Sequence, residues 1–398
     1  MLSCSFNLDK TVELSMVKED LLLAIPGPVP IAPSVYRAMI KPVIGHRTQQ
    51  FRELNKQVHE MLKEIMCTKN DVFVLAGSGT LAMQAGISNL VAPADEVLNL
   101  VNGKFSSRFA EITEAFGGKS IVHNVEYGKA IKPPDVEKAL VENPDIKFVT
   151  MTLNETSTAI LNPVWDIGKI TREQGKILIV DGITAVGGDY VYADEWNIDV
   201  LITGSQKCLG LPPGLSAIMV APTAWEVINN RENIYEYYAN LKKFKKSYEK
   251  GGDTPFTPAV TLVQGLHESL RLILEEGLEN RVKRHRLMTK AVREGYKAVG
   301  LELLAETEYA SNTITAIKYP ENIEDKEFRS KMEEKGILVA GGQDHLKGKI
   351  FRIASMNLCT QKEVLTILAT SEIILKELGY NLELGSGTTA AQKVFLTD

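Results

Sequence analysis

Cysteine is scarce here. Four residues, Cys4, Cys67, Cys208 and Cys359, are spread over 398 positions with no C-x-x-C pair. That excludes a disulfide scaffold and argues against a zinc or dithiol redox motif. Reduced thiols in a cytoplasmic chain are the expectation. The six histidines form no H-x-x-x-H pair, so no metal site is expected. No run approaches the roughly 20 apolar residues of a membrane span. The start, Met1 to Lys18, has no apolar core of signal-peptide length, and Glu13 interrupts it. An excess of positive charge is also lacking: 45 Lys+Arg stand against 50 Asp+Glu, a net −5. Neither nucleic acid nor an anionic membrane is therefore expected as a partner.

What is present is ordinary for a globular chain, with 44% hydrophobic and 24% charged residues, enough to bury a core without staples. Length alone allows two to three domains. From Gln49 to Cys67, apolar residues recur at helical spacing. The chain then alternates. Short apolar runs at Val72–Ala76, Val97–Val101, Ser120–Val122, Phe148–Leu153, Ile177–Val180, Val200–Thr203 and Ala217–Val220 read as strands. Helical patterns at Leu81–Leu90, Phe109–Phe116, Val136–Val141 and Trp165–Gln174 separate several of them. Such alternation predicts βαβ units and a mainly parallel sheet covered on both faces.

Further on, five lysines between Lys242 and Lys250 lie near four tyrosines. Glu236 and Glu249 in the same stretch favour a solvated helix face over a nucleic-acid patch. A long helical region, Leu262 to Val299, leads into a mixed C-terminal part. The expected division is an arm at 1–20, a large domain at 21–262, a small domain at 263–384 and a poorly ordered tail at 385–398.

Four features carry chemistry. The run ending at Ala76 is followed by Gly77-Ser78-Gly79-Thr80 and a helix. This is either a tight βα turn or an anion cup, in which free N–H groups and the helix dipole face a ligand. A dinucleotide fingerprint is disfavoured, because the next strand ends in Asn99-Leu100-Val101-Asn102 with no acid. Asp181 ends the buried run Ile177–Val180, as a ligand group or a turn cap. Lys207 follows the run Val200–Thr203 and Gly204-Ser205-Gln206. Burial would release its free amine for Schiff-base chemistry, whereas exposure would make it a plain loop lysine. Arg352 interrupts the apolar run Ile350–Ala354, either binding a carboxylate with its fork or serving an internal ion pair. Taken together, a phosphate cup, a carboxylate, a lysine and an arginine match pyridoxal 5′-phosphate (PLP) acting on an amino acid.

Ser205-Gln206-Lys207 with Pro212-Pro213-Gly214 also resembles the class V, fold type I PLP-dependent aminotransferases. Within these it is nearest the alanine–glyoxylate and serine–pyruvate group. Pro26-Gly27-Pro28, His46-Arg47, Gly77-Ser78-Gly79, Asn102-Gly103, Glu155-Thr156-Ser157-Thr158, Gly187-Gly188 and Phe351-Arg352 extend the likeness from about Leu22 to Leu378. The resemblance implies an α/β large domain with a mainly parallel central sheet and a smaller α+β C-terminal domain. Lys207 would carry the cofactor and Asp181 would meet its ring nitrogen. Phe105 and Ile183 would cover the two ring faces, and Thr156 would bond the ring hydroxyl. Ser78, Gly79, Thr80 and Gln206 would hold the phosphate, with Thr254 reaching the phosphate of the other subunit in a homodimer. Arg352, Gly27 and Asn154 would meet the substrate. The reaction implied moves an amino group from serine or alanine to pyruvate or glyoxylate. Another class V reaction, such as a phosphonate or other amino-donor transaminase or a cysteine-desulfurase-like lyase, is the alternative. The chain departs from the family's usual residues at Leu153, Ala159, Gly182 and Gly251.

Overall fold

All seven apolar runs become strands of one sheet. The computed structural model describes residues 21–397, and the expected arm at 1–20 lies outside them. The chain begins with β1 (Leu22–Leu23), α1 (Pro33–Met39) and α2 (Gln49–Ile65). Alternation follows through β2 (Asp71–Ala76), α3 (Gly79–Leu90), β3 (Glu96–Val101), α4 (Lys104–Ala115), β4 (Lys119–Asn124), α5 (Pro133–Glu142) and β5 (Ile146–Thr152). A hairpin of β6 (Asn154–Glu155) and β7 (Ile160–Leu161) leads to α6 (Val164–Glu173), β8 (Ile177–Asp181), β9 (Val200–Gly204) and β10 (Leu215–Val220). Next come α7 (Pro222–Asn230), α8 (Leu241–Tyr248) and α9 (Val260–Glu276). The remainder is α10 (Leu278–Ala298), β11 (Ile314–Lys318), α11 (Asp325–Glu334), β12 (Ile337–Leu338), β13 (Ala340–Gly341), β14 (Ile350–Ala354), α12 (Gln361–Glu377) and α13 (Ser386–Thr397).

The central sheet has the order β2-β10-β9-β8-β5-β3-β4. Only β10 runs antiparallel to its neighbours, β2 and β9. The carboxyl ends of the other six strands therefore share one edge. Alternate residues feed opposite cores, as a sheet covered on both faces requires. Leu98, Val149, Leu178, Val180 and Leu201 face one core, while Val97, Phe148, Ile179, Val200 and Ile202 face the other. The lysine-rich stretch is the short helix α8. There Lys245 pairs with Asp71 at 2.8 Å and Lys243 lies 3.5 Å from the centre of the Tyr237 ring.

Two expected boundaries move. The helical region 262–299 breaks at Gly277, whose φ of +78° ends α9 and starts α10. Helix α9 buries Val263, Leu266, Leu270 and Ile273 in the large core, whereas Met288, Ala291, Val292 and Tyr296 of α10 belong to the small-domain core. By packing, α9 therefore belongs with the large core, and α10, whose first half bonds to Gly187, Gly188 and Cys208, leads from it into the small-domain core. The tail expected to be poorly ordered forms α13 instead, burying Ala391 and Val394 in the small-domain core. Its first N–H groups are capped from another helix: Glu372 accepts from Gly385 (2.5 Å), Gly387 (2.7 Å) and Thr388 (3.0 Å). A cap supplied by a residue 13 to 16 positions away leaves no local sequence signal.

Candidate active site

The carboxyl edge of the sheet holds a pocket of about 100 Å³. Each wall comes from a strand end. Beyond β2, the Ser78 side chain caps no N–H of α3; the Ser78 carbonyl takes the Leu81 N–H at 2.8 Å, and the Gly79 and Thr80 N–H groups before it get no intrahelical acceptor. Gly79 lies so close to Ile183 that a Cβ there would meet Ile183 Cδ1 at 2.4 Å. Ser78, Gly79, Thr80, Ile183 and Gln206 line this end. Beyond β3, the first turn of α4 brings in Phe105, and Arg108 follows three residues later.

Asp181 ends β8, and Lys207 stands three residues beyond the adjacent parallel strand β9. Asp181 is buried and accepts from the Ile183 N–H at 2.8 Å. Burial pushes its carboxyl up to about 7, against the lowering effect of that bond, and the charge of Glu155 adds to the rise. Lys207 keeps one side open to the pocket, and protein surrounds the rest of the side chain. This desolvation pulls its amine down to about 8, with the Arg352 charge as the next cause. Its Nζ donates to the Pro26 carbonyl. Gly27, at φ +124°, leaves the room for this contact, because a Cβ there would lie 2.9 Å from Nζ.

Thr156 and Thr184 share a hydroxyl contact of 3.0 Å, and Thr184 donates to the Asn154 carbonyl at 2.8 Å. Arg352 is buried in β14 and makes no ion pair among the described residues. Its Nη2 donates to Gly341 O at 2.8 Å and its Nη1 to Thr156 O at 3.0 Å. Burial pulls its guanidinium down to about 10.

The structure thus gathers Ser78, Gly79, Thr80, Phe105, Thr156, Asp181, Ile183, Gln206 and Lys207 around one space. Gly27 abuts Lys207, and Arg352 reaches the wall through Thr156. Asn154 lies behind Thr184, with its amide donating to Thr313 Oγ1 at 2.8 Å. Thr254 is away from the pocket, its hydroxyl bonded to Phe256 O at 2.8 Å. Two contributors escaped the sequence reading, Arg108 and Thr184, and Glu155 stood there in a motif without a role. Arg108 Nη1 donates to Thr80 Oγ1 at 3.0 Å, and its guanidinium stands 5.3 Å from the Phe105 ring centre. The one available signal for Arg108 was its i+3 spacing from Phe105. Among the described residues, no group of three His, Cys, Asp or Glu is placed to hold a metal.

Residues 34–365 match the family described as Aminotransferase class-V. The chain belongs to this family. It is 47% identical over 378 residues to an uncharacterized aminotransferase of Methanocaldococcus jannaschii, covering 95% of this chain and 98% of that one. It is 38% identical to a protein of Anabaena cylindrica named soluble hydrogenase 42 kDa subunit, covering 95% and 99%. The solved structure of ureidoglycine–glyoxylate aminotransferase from Bacillus subtilis superposes with a TM-score of 0.92, at 32% identity, over 95% and 98% of the two chains. The architecture is accordingly fold type I, and the chain is a class V aminotransferase.

The residues of the pocket fit PLP, the cofactor of this family. The uncapped helix N-terminus suits a phosphate. The buried Asp181, in no ion pair among the described residues, suits a protonated ring nitrogen. The desolvated Lys207 suits an aldehyde, and the Gly79–Ile183 closeness leaves a slot flanked by Phe105.

Proposed function

We propose that this chain is a PLP-dependent aminotransferase that moves the amino group of serine or alanine to a small 2-keto acid, pyruvate or glyoxylate. The observation that carries the reading is a half-buried, desolvated lysine amine and a buried carboxylate on neighbouring strand ends, beside a helix N-terminus with no side-chain cap. Lys207 would hold the cofactor's aldehyde carbon, Asp181 its ring nitrogen, Thr156 its ring hydroxyl, and Ser78, Gly79, Thr80 and Gln206 its phosphate. Phe105 and Ile183 would cover its faces. When bound, the cofactor supplies an aldehyde for amine exchange and a ring that accepts electrons from the substrate carbon.

The chain's own residues do the rest. Arg352 binds the substrate carboxylate with its fork, turning the Cα–H bond toward Lys207. With its amine near 8, Lys207 is partly unprotonated at neutral pH and takes the Cα proton as a general base. Gly27 and Asn154 flank the substrate in this reading. Relatives at 32% identity support the acceptor: one from Methylorubrum extorquens is named serine–glyoxylate aminotransferase, and one from Paracoccus denitrificans L-aspartate–glyoxylate aminotransferase. A desulfurase would need a thiolate at the pocket. Burial pushes the Cys208 and Cys359 thiols up to about 12, which disfavours that alternative.

The reading includes a cytoplasmic homodimer in which Thr254 serves the other copy's phosphate. Thr254 lies away from its own pocket, and exposed apolar side chains at Ile40 and Val43 would be covered by association. No helix among the described residues is long and apolar enough to cross a membrane.

The test uses purified chain reconstituted with PLP. The expected result is a yellow protein whose absorption band disappears in Lys207→Ala. A wild-type chain without the band would sink the cofactor reading. A donor panel against glyoxylate and pyruvate would then decide the substrate, and inactivity with both serine and alanine would remove that assignment alone.

A further inference from the structure

We infer that Glu155 is a positioning residue for this reaction: supplied by the β6–β7 hairpin, its carboxylate caps helix α4 and so sets Phe105 and Arg108 against the pocket. The inference rests on the reading above for what α4 serves, while the cap itself stands on geometry.

A helix start leaves its first N–H groups without intrahelical acceptors, and a Ser, Thr, Asp or Asn at the N-cap usually supplies one. In α4 the N-cap is Gly103, which has no side chain to offer. Glu155, 50 residues away, takes over: Oε1 accepts from the Phe105 N–H at 3.3 Å and Oε2 from the Ser106 N–H at 2.8 Å. The same hairpin fixes the carboxylate. Oε1 also accepts from the Ser157 N–H at 3.1 Å and hydroxyl at 2.5 Å, while Ser157 Oγ accepts from the Lys104 N–H at 2.9 Å.

Gly103 is explained by this arrangement. Its φ of 178° is extended backbone that any residue adopts, so conformation does not call for glycine. Space does: a Cβ there would sit 2.2 Å from Glu155 Cδ and 2.5 Å from Ser157 Oγ. Glu155 is fully buried and makes no ion pair among the described residues. A buried carboxylate is costly unless hydrogen-bonded, and here the bonds come from the positive end of a helix. The Phe105 ring belongs to the first turn, and Arg108 lies on the same face three residues on, reaching Thr80. A shift of the α4 start would displace the ring cover and the only cation that touches the Ser78–Thr80 turn among the described residues.

The test has two readouts on the full chain. One is amide hydrogen exchange at Phe105 and Ser106 in the cofactor-free protein. The other is the dissociation constant for PLP. The variants are Glu155→Ala, Glu155→Gln, and Glu155→Ala combined with Gly103→Asp, which puts a local cap in the vacated space once the Ser157 hydroxyl, no longer held by Glu155, rotates aside. In Glu155→Ala, exchange should quicken at least about tenfold and PLP should bind about 10- to 100-fold more weakly. Smaller changes are expected in Glu155→Gln. In the combined variant both should return to within about threefold of wild type. Unchanged exchange in Glu155→Gln and Glu155→Ala would remove the cap. Faster exchange with unchanged PLP binding would leave a cap without a positioning role and overturn the inference. If Glu155→Ala does not fold, Glu155→Gln and the combined variant decide by the same criteria. A wild-type chain that binds no PLP would sink the proposed function, and the exchange arm would still decide the cap.

Discussion

The two edges of the central sheet solve opposite problems. The amino-end edge has the larger hollow, about 980 Å³, with many charges around it. Its two closest charge contacts are ion pairs: Lys147 with Asp95 at 2.6 Å and Arg172 with Asp199 at 3.1 Å. The carboxyl-end pocket is about a tenth of that size, yet Asp181, Lys207 and Arg108 line it, and Arg352 stands behind Thr156, with no ion pair for any of the four among the described residues. Space does not mark the active edge. Buried charge left without a counter-charge does, because such groups are tolerated where a ligand completes them.

The comparison breaks most visibly at Lys207. In Lys207→Ala the proposed base for the Cα proton is gone, and general acid–base catalysis alone is worth about 10²- to 10⁴-fold. A loss of at least about 10³-fold in kcat, measured with serine and glyoxylate, is the expected outcome. A variant within tenfold of wild type would show that another group moves the proton.

Asp181→Asn separates stability from function. The folded-state carboxyl is raised to about 7 from an ordinary value near 4, so between those values the native chain holds a proton that the unfolded chain has lost. Apo-protein stability from this group is therefore full below about pH 4 and falls as pH rises toward 7. Replacing it with an amide should remove that fall. Above pH 7 the cofactor-free variant should gain on the order of 4 kcal/mol in denaturant unfolding, with no gain at pH 4. Activity should drop at the same time, because a neutral amide cannot hold the ring nitrogen's proton. An apo variant no more stable than wild type at pH 8 would mean that Asp181 is not paying a burial cost at that edge.

Arg352→Met tests whether the unpaired fork awaits substrate. A charge-assisted contact of this kind is worth about 1.5–3 kcal/mol. KM for the amino acid should rise about 10- to 100-fold while the cofactor band persists. Loss of the band with unchanged KM would assign Arg352 to the cofactor instead.

Much of this was legible in the sequence for physical reasons. Most strands of the central sheet, the edge strand β4 excepted, are buried on both faces, so each left a short apolar run bounded by turns. Lys207, Asp181 and Gly77–Thr80 each follow such a run, and strand ends gather on one edge. What escaped was non-local. Glu155 and Glu372 cap helices from elsewhere in the chain, Arg108 looks like any surface arginine of α4, and α13 is held by a cap and two buried side chains. Gly277 was hidden inside a continuous helical pattern, so α9, which packs in the large core, was read together with α10.

The smallest expected effect sharpens the contrast from the other side. Lys147 is 62% exposed and pairs with Asp95 across the amino-end edge. Exposed pairs of this kind contribute about 0.2–1 kcal/mol, since water already screens them. Asp95 does not depend on Lys147, because its other oxygen caps the Ala92 N–H at 2.8 Å. Lys147→Met should therefore lower unfolding stability by less than about 1 kcal/mol. It should leave kcat/KM unchanged, because nothing connects this lysine to the pocket at the far end of β5. If the variant instead lost activity tenfold while keeping its stability, the larger hollow would have a functional role, and matched charge would no longer mark the silent edge of the sheet.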